Sequence, residues 1–105
     1  MPTWEALPRF EHEYRALDAS KRAPFRVARR EFIRALLAWE RAGMVGRPYF
    51  PNHLGVKRMQ GHRGIWEFAW EGDGRCTWEY GDPESPGRCH ITWRRIGSHA
   101  IYDDP

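Results

Sequence analysis

The chain has 105 residues, of which 41% are hydrophobic and 30% charged, and its formal net charge at pH 7 is +3. This length is typical of one domain, so we expect a single domain over residues 1–105, and the composition excludes intrinsic disorder. No apolar run reaches the roughly 20 residues of a membrane-spanning helix, and the first residues lack the pattern of a secretory signal. Membrane proteins, fibres and multidomain enzymes are therefore excluded.

The two cysteines, Cys76 and Cys89, are too few for a disulfide framework or a zinc site. We therefore expect a reduced cytoplasmic protein without a metal site. The N-terminal half of the chain is net basic and the C-terminal half is net acidic. A nucleic-acid partner is compatible with this charge but is not required by it.

The N-terminal half of the sequence predicts a helical hairpin. Residues 4–7 are compatible with a short strand at the edge of a sheet. Apolar residues at helical spacing then predict a short helix over residues 10–17 and a longer one over residues 21–41. Both helices are amphipathic, so we expect the hairpin to pack one face on the rest of the chain.

Three residues predict the limits of the longer helix. Ser20 is the expected N-cap, and Pro24 is expected in the first turn because proline lacks the N–H that a helix interior uses. Gly43 is expected to end the helix, since glycine adopts the left-handed conformation that follows many helices.

A segment rich in glycine and proline, residues 43–64, separates the helices from three predicted strands. Apolar and polar residues alternate over residues 65–71, 75–80 and 89–96, with a short hairpin loop between the first two runs. The expected fold class is therefore α+β, with a helical hairpin packed on one face of a small antiparallel sheet.

The same alternation defines a polar face of the sheet, on the side away from the helices. This polar face consists of Glu67, Ala69, Arg75, Thr77, Glu79, His90, Thr92 and Arg94. Loop lengths predict that Trp70 pairs with Cys76 and Tyr80 with Cys89. That register would align Glu67, Glu79 and His90 in one row beside two arginines.

Such a row has two interpretations. Neighbouring carboxylates raise each other's pKa and nearby cations lower it, an arrangement suited to proton transfer and to binding an anionic group. The alternative is a solvated sheet face with cross-strand ion pairs, and residue types alone favour it.

Several short motifs together resemble the RelE/ParE toxin superfamily. They are the run Val-Lys-Arg-Met-Gln-Gly-His-Arg-Gly-Ile-Trp-Glu at residues 56–67, Gly-Arg at 74–75 before Thr-Trp-Glu-Tyr at 77–80, and Trp-Arg-Arg-Ile-Gly-Ser-His at 93–99 before Ile-Tyr at 101–102. The predicted helices also match the helical hairpin of that family. The resemblance therefore covers most of the chain and implies a single RelE-like domain.

The resemblance implies a toxin of a type II toxin–antitoxin pair. RelE-like members are endoribonucleases that cleave mRNA on the ribosome without a metal or cofactor, by attack of a 2′-hydroxyl on the adjacent phosphate. The implied partners are the ribosome, mRNA and a cognate antitoxin. The chemistry needs a base, an acid and cations on the phosphorane.

The resemblance implies four catalytic residues, at the positions that match the motifs of the family. The resemblance implies that Arg75 braces the phosphate, that His99 acts as acid or base, and that Tyr102 stacks on a base or orients the reacting group. Glu67 occupies a position that is lysine in some members and would act as a base. Alternatively, Arg75 only pairs with Glu71 across the hairpin, and His99 and Tyr102 belong to an ordered tail.

Five further residues are expected to bind substrate. The resemblance implies that Lys57 and Arg58 hold the RNA backbone. The polar face adds Glu79, His90 and Arg94.

Two other functions remain open at this point. Members of the ParE type inhibit DNA gyrase without RNase activity, and the fold alone does not separate the two types. The scaffold could also serve a small-molecule reaction that uses Glu67, Glu79, His90 and His99. The acidic half of the chain, and Glu67 and Ala69 where RelE carries lysines, suit that third function better than RNA cleavage, whereas the retained His99 and Tyr102 favour the RNase.

Overall fold

The computed structural model describes residues 1–105 and contains two helices and five strands. In chain order these are β1 (Thr3–Ala6), α1 (Pro8–Ala16), α2 (Ala19–Arg41), β2 (Lys57–Arg58), β3 (Trp66–Trp70), β4 (Gly74–Gly81) and β5 (His90–Gly97). Short 3₁₀ helices lie at Asn52–Leu54 and His99–Asp103. Neither α-helix is both long and apolar enough to cross a bilayer.

The strands form one sheet in the order β1-β5-β4-β3-β2. The predicted α+β class and the expected N-terminal edge strand are confirmed. The sheet is mixed rather than antiparallel because β1 runs parallel to β5, and the short strand β2 was not predicted. A parallel pair needs a long crossover connection, and the two helices lie within the chain that joins β1 to β5.

The limits of α2 differ at its start from those expected. The helix begins at Ala19 after Asp18, so Ser20 lies inside it and Pro24 lies beyond the first turn. Pro24 has no N–H to donate to the Ser20 carbonyl, and the helix continues past this missing bond. Gly43 follows the helix with φ +80°, as expected for a residue that ends it.

Aromatic rings from α2 and the sheet build most of the core. Phe25, Phe32 and Leu36 of α2 are fully buried against the helix-facing side of the sheet. The ring of Phe32 lies 4.8 Å from that of Trp78 and 5.1 Å from that of Phe68, measured between centroids. Full burial of each large apolar side chain contributes roughly 1.5–3 kcal/mol, so this contact anchors the helices to the sheet.

The expected strand register is wrong by two residues. Trp70 pairs with Gly74 rather than with Cys76, because β3 and β4 are joined by a tight turn of Glu71, Gly72 and Asp73. Glu71 and Gly72 both have positive φ, which allows the chain to reverse over so few residues.

The pairing of β4 with β5 also differs, and it contains a β-bulge. Glu79 pairs with Thr92, and His90 pairs with Gly81. Farther along, Trp78 pairs with Trp93 and Thr77 with Arg95, which leaves Arg94 without a partner on β4. The predicted row of Glu67, Glu79 and His90 therefore does not form.

Much of the polar face is covered. Four of its residues are buried, namely Glu67, Thr77, His90 and Thr92. The 3₁₀ helix His99–Asp103 packs on β4 and β5, and its residue Ile101 is buried. Ile101 lies so near to Gly97 that a Cβ added at Gly97 would be 3.0 Å from Ile101 Cγ2. The C-terminal segment thus brings side chains onto a sheet face that would otherwise be open.

We expect both cysteines to resist thiol reagents until the protein unfolds. Burial raises the pKa of Cys76, and burial with the nearby Glu40 carboxylate raises the pKa of Cys89 to about 11. Because the thiolate is the reactive form, a chromogenic disulfide reagent at pH 8 should label neither thiol in the native protein and both in denaturant. Rapid labelling of one thiol in the native protein would contradict the packing at that cysteine.

Candidate active site

One end of the polar face brings together all four residues predicted to be catalytic. Glu67 lies on β3 and Arg75 at the start of β4, while His99 and Tyr102 lie on the C-terminal 3₁₀ helix. Contacts link Glu67 to Tyr102, Tyr102 to His99, and His99 to Asp73 in the turn between β3 and β4. The charge of Arg75 acts on Tyr102.

Glu67 is held by a phenol and faces an ammonium group. The Tyr102 hydroxyl donates to Glu67 Oε1 at 2.8 Å, and Lys57 Nζ lies 3.8 Å from the same oxygen. Only 6% of Glu67 is exposed, so these two groups compensate a carboxylate that is largely removed from water. Burial, together with the Glu67 carboxylate, raises the pKa of Tyr102, so the phenol stays protonated and donates.

His99 is oriented by a carboxylate. Its Nδ1 is hydrogen bonded to Asp73 Oδ1, and this bond with His99 lowers the pKa of Asp73. Asp73 therefore remains ionised and fixes the imidazole through Nδ1, while Nε2 makes no hydrogen bond in the protein. The His99 ring also packs edge-on against Tyr102, with centroids 5.2 Å apart. A carboxylate-oriented imidazole with a free nitrogen is an arrangement suited to proton transfer.

Arg75 is anchored by the backbone of the turn. Its Nη1 donates to the carbonyl oxygens of Gly72 at 3.1 Å and Gly74 at 2.8 Å. It forms no ion pair with Glu71, which was the alternative interpretation. The remaining N–H groups of the guanidinium are free for an anion, and its charge also acts on Tyr102, where it opposes the rise in the phenol pKa.

Three of the five predicted substrate-binding residues are held elsewhere. Glu79 and Arg94 form an ion pair at 3.1 Å, and Arg94 also donates to the Pro105 carbonyl. His90 is buried near the far edge strand, where its Nδ1 lies 2.8 Å from the Thr3 hydroxyl.

The other two predicted binding residues point to opposite sides of the sheet. Lys57 reaches Glu67 on the polar face. Arg58, the next residue, places its guanidinium over the ring of Trp66, 5.2 Å from the centroid, on the helix-facing side. Only Lys57 therefore belongs to the candidate site.

The separation of His90 from Glu67 also bears on the third function considered above. Because Glu79 pairs with Arg94 and His90 lies beyond it, the carboxylates and histidines do not line one pocket. A small-molecule site built on Glu67, Glu79, His90 and His99 thus loses its geometric basis.

Asp73 is the site residue that the sequence analysis missed. Arg75 pairs with Gly97 on antiparallel strands, so Asp73, two residues before Arg75, lies beside His99, two residues after Gly97. The correct pairing of β4 with β5 would have indicated this contact, whereas the pairing expected from loop lengths did not place the two residues together.

Solved structures with the same fold include a toxin found with its antitoxin. The structure resembles the E. coli DinJ–YafQ toxin–antitoxin complex with a TM-score of 0.56 and 16% identity, covering 95% of this chain and 94% of that one. YafQ from E. coli strain BL21(DE3) matches with a TM-score of 0.55 and 15% identity, covering 96% of this chain and 97% of that one. The conserved hypothetical protein HP0894 from Helicobacter pylori matches with a TM-score of 0.53 and 12% identity, covering 95% of this chain and 97% of that one.

No protein-family model and no curated protein matches the sequence. At these identities the likeness is one of fold, and the RelE-like fold implied by the sequence motifs is confirmed.

Proposed function

We propose that this protein is a RelE-like toxin that cleaves mRNA on the ribosome and is neutralised by a cognate antitoxin. The observation that carries the proposal is the meeting of Asp73, His99, Tyr102, Glu67 and Arg75 at one end of the polar face. The fold shared with YafQ, which is found in a toxin–antitoxin complex, supports the toxin role.

His99 is the proton-transfer residue in this mechanism. Its free Nε2 accepts the proton of the 2′-hydroxyl as the oxygen attacks the adjacent phosphorus. Asp73 stabilises the imidazolium that forms, because its carboxylate is hydrogen bonded to Nδ1.

Two cations stabilise the rest of the transition state. Arg75, already anchored through Nη1, directs its other N–H groups at the phosphorane oxygens. Lys57 is largely exposed and is the ammonium that donates to the leaving 5′-oxygen. Glu67 is a positioning residue, since it is buried and holds both Lys57 and Tyr102.

A basic helix face supports an RNA-rich partner. Arg26, Arg30 and Arg34 are exposed one turn apart along α2, and none of them lies within 4.0 Å of a carboxylate. Unpaired arginines on one helix face attract phosphate groups without reading sequence. This face is therefore our candidate contact with ribosomal RNA.

Arg75→Ala should lower the rate of mRNA cleavage by about 10²–10³-fold, the usual loss when one donor to a developing oxyanion is removed. The test is inducible expression in bacteria, with growth followed beside primer extension on a translated mRNA. The exposed loop residue Arg88 supplies the matched control, Arg88→Ala, which should stay as toxic as the wild type.

Growth arrest with cuts inside translated codons, lost in Arg75→Ala, is the expected result. Arrest without cuts would instead indicate a gyrase-directed toxin, and equal toxicity of Arg75→Ala would remove the phosphate role assigned to this residue.

A further inference from the structure

An aromatic cavity lies on the side of the sheet opposite the candidate active site. It has a volume of about 530 Å³ and opens between the end of α2, the loop that follows it, and strands β2 to β4. The side chains that give it its character are Trp39, Tyr49, Phe50, Arg58, Trp66 and Tyr80. None of the catalytic roles assigned above uses this cavity.

The rings around the cavity contact one another, and two of them are exposed, Tyr49 and Tyr80. Trp66 and Tyr80 meet edge to face with centroids 5.9 Å apart, and Trp39 lies 6.1 Å from Tyr80. Trp66 stacks on Trp78 with centroids 5.6 Å apart and Arg58 lies over its ring, so the guanidinium rather than the Trp66 face is presented to the cavity. Tyr49 is 95% exposed, although a tyrosine ring normally buries its apolar surface. Exposed aromatic and guanidinium faces are the surfaces on which unpaired bases stack.

The charge of the cavity selects for an anion. Arg47 and Arg58 both line it, and no aspartate or glutamate does. A ligand that carries a planar ring and a negative charge therefore satisfies both the aromatic walls and the two arginines. A nucleotide combines these two properties.

The edge strand β2 connects this cavity to the candidate active site. Lys57 and Arg58 are consecutive on β2, so their side chains project to opposite faces of the sheet. Lys57 reaches Glu67 in the active site, whereas Arg58 reaches Trp66 in the cavity. A strand of RNA that leaves the active site over this edge meets Lys57 first and Arg58 next.

We propose that the aromatic cavity binds a nucleotide of the same single-stranded RNA that is cleaved on the polar face. This inference rests on the proposed function for the identity of the strand. The base stacks against the exposed rings, and its phosphate lies between Arg47 and Arg58. The cavity thereby holds the RNA at a second point beyond the reacting phosphate.

The test is binding of a short fluorescein-labelled RNA oligonucleotide with 2′-O-methyl groups, which has no 2′-hydroxyl to attack and stays intact. Tyr49→Ala and Arg47→Ala should each weaken binding, as followed by fluorescence anisotropy, by about fivefold or more, the loss expected for one base stack. Val45→Ala and Arg63→Ala are the matched controls, because both residues are exposed and neither lines the cavity. The controls should bind like the wild type.

Three results would overturn the inference. The first is that the wild type does not bind the oligonucleotide. The second is that Tyr49→Ala, Arg47→Ala and the controls all bind it equally well. Either result would make a protein-docking role the better explanation of the cavity. The third is displacement of the oligonucleotide by free AMP at matching affinity, which would identify a mononucleotide site instead of a strand-binding one.

The outcome is separable from that of the proposed cleavage. Binding that depends on Tyr49 and Arg47 in a protein that cuts no mRNA would refute the cleavage proposal and retain a nucleic-acid site in the cavity. Cleavage that is lost in Arg75→Ala, combined with oligonucleotide binding that does not change in Tyr49→Ala, would support the cleavage proposal and refute the nucleotide site in the cavity.

Discussion

His99→Ala should lower the rate of mRNA cleavage by about 10²–10⁴-fold, the usual contribution of a positioned acid or base. The imidazole is fixed by Asp73 at Nδ1 and packs against Tyr102, so its free nitrogen is held in one place for the attacking hydroxyl. Primer extension on a translated mRNA, with purified protein and ribosomes, measures the rate.

Two further variants sharpen this test. Asp73→Asn keeps the size of the orienting residue but removes its charge, so it should lose less activity than His99→Ala. His12→Ala removes an exposed histidine on α1, away from the site, and should cleave like the wild type. Wild-type cleavage by His99→Ala would show that another group transfers the proton.

Phe32→Ala should destabilise the fold by about 3–5 kcal/mol, the typical cost of removing a buried aromatic ring. The Phe32 ring is fully buried and lies within 5.1 Å of the rings of Phe50, Phe68 and Trp78, so its loss leaves a cavity where α2, the following loop and two strands meet. Because small domains are stable by only about 5–15 kcal/mol, a large fraction of the total is at stake.

Urea unfolding followed by circular dichroism measures this loss. Val27→Ala is the control on the same helix, since Val27 is 54% exposed and such a site usually changes stability by less than about 0.5 kcal/mol. Phe32→Leu should lie between the two, because leucine refills part of the space. A loss below about 1 kcal/mol for Phe32→Ala would mean that the core collapses around the gap.

The sequence predicted which residues of the strands face the helices, because side chains alternate with a fixed period of two. Phe68, Cys76, Trp78 and Ile91 all lie on the helix-facing side as expected. The amphipathic pattern also located both helices to within two residues at each end, apart from the role given to Pro24.

Strand register could not be predicted in the same way. Register depends on the number of residues in the turn that joins the strands. Here the turn is short because Glu71 adopts a positive φ, which the sequence pattern does not predict. The bulge at Arg94 is a second departure from regular pairing that alternation does not encode. The tight turn places Thr77 rather than Glu79 opposite Glu67, and the pairing of β4 with β5 on the loop side of the bulge places His90 opposite Gly81.

The candidate site was predicted in part for a different reason. His99 and Tyr102 follow the last strand, where periodicity carries no information, and only the resemblance to a toxin family assigned them a role. Their meeting with Glu67 depends on the C-terminal segment folding back over the sheet, which is a tertiary event. Asp73 was missed because its partnership with His99 follows from the true register alone.

The bulge also affects how this chain should be aligned with others of its fold. Arg94 is an extra residue within β5, so everything after it, including His99 and Tyr102, is displaced by one position relative to a strand without a bulge. An ungapped alignment through Trp93 to such a relative would match His99 with the neighbour of its true counterpart. Functional residues beyond this point should therefore be compared by superposition, and a mismatch at the histidine in a sequence alignment is weak evidence that the chemistry has been lost.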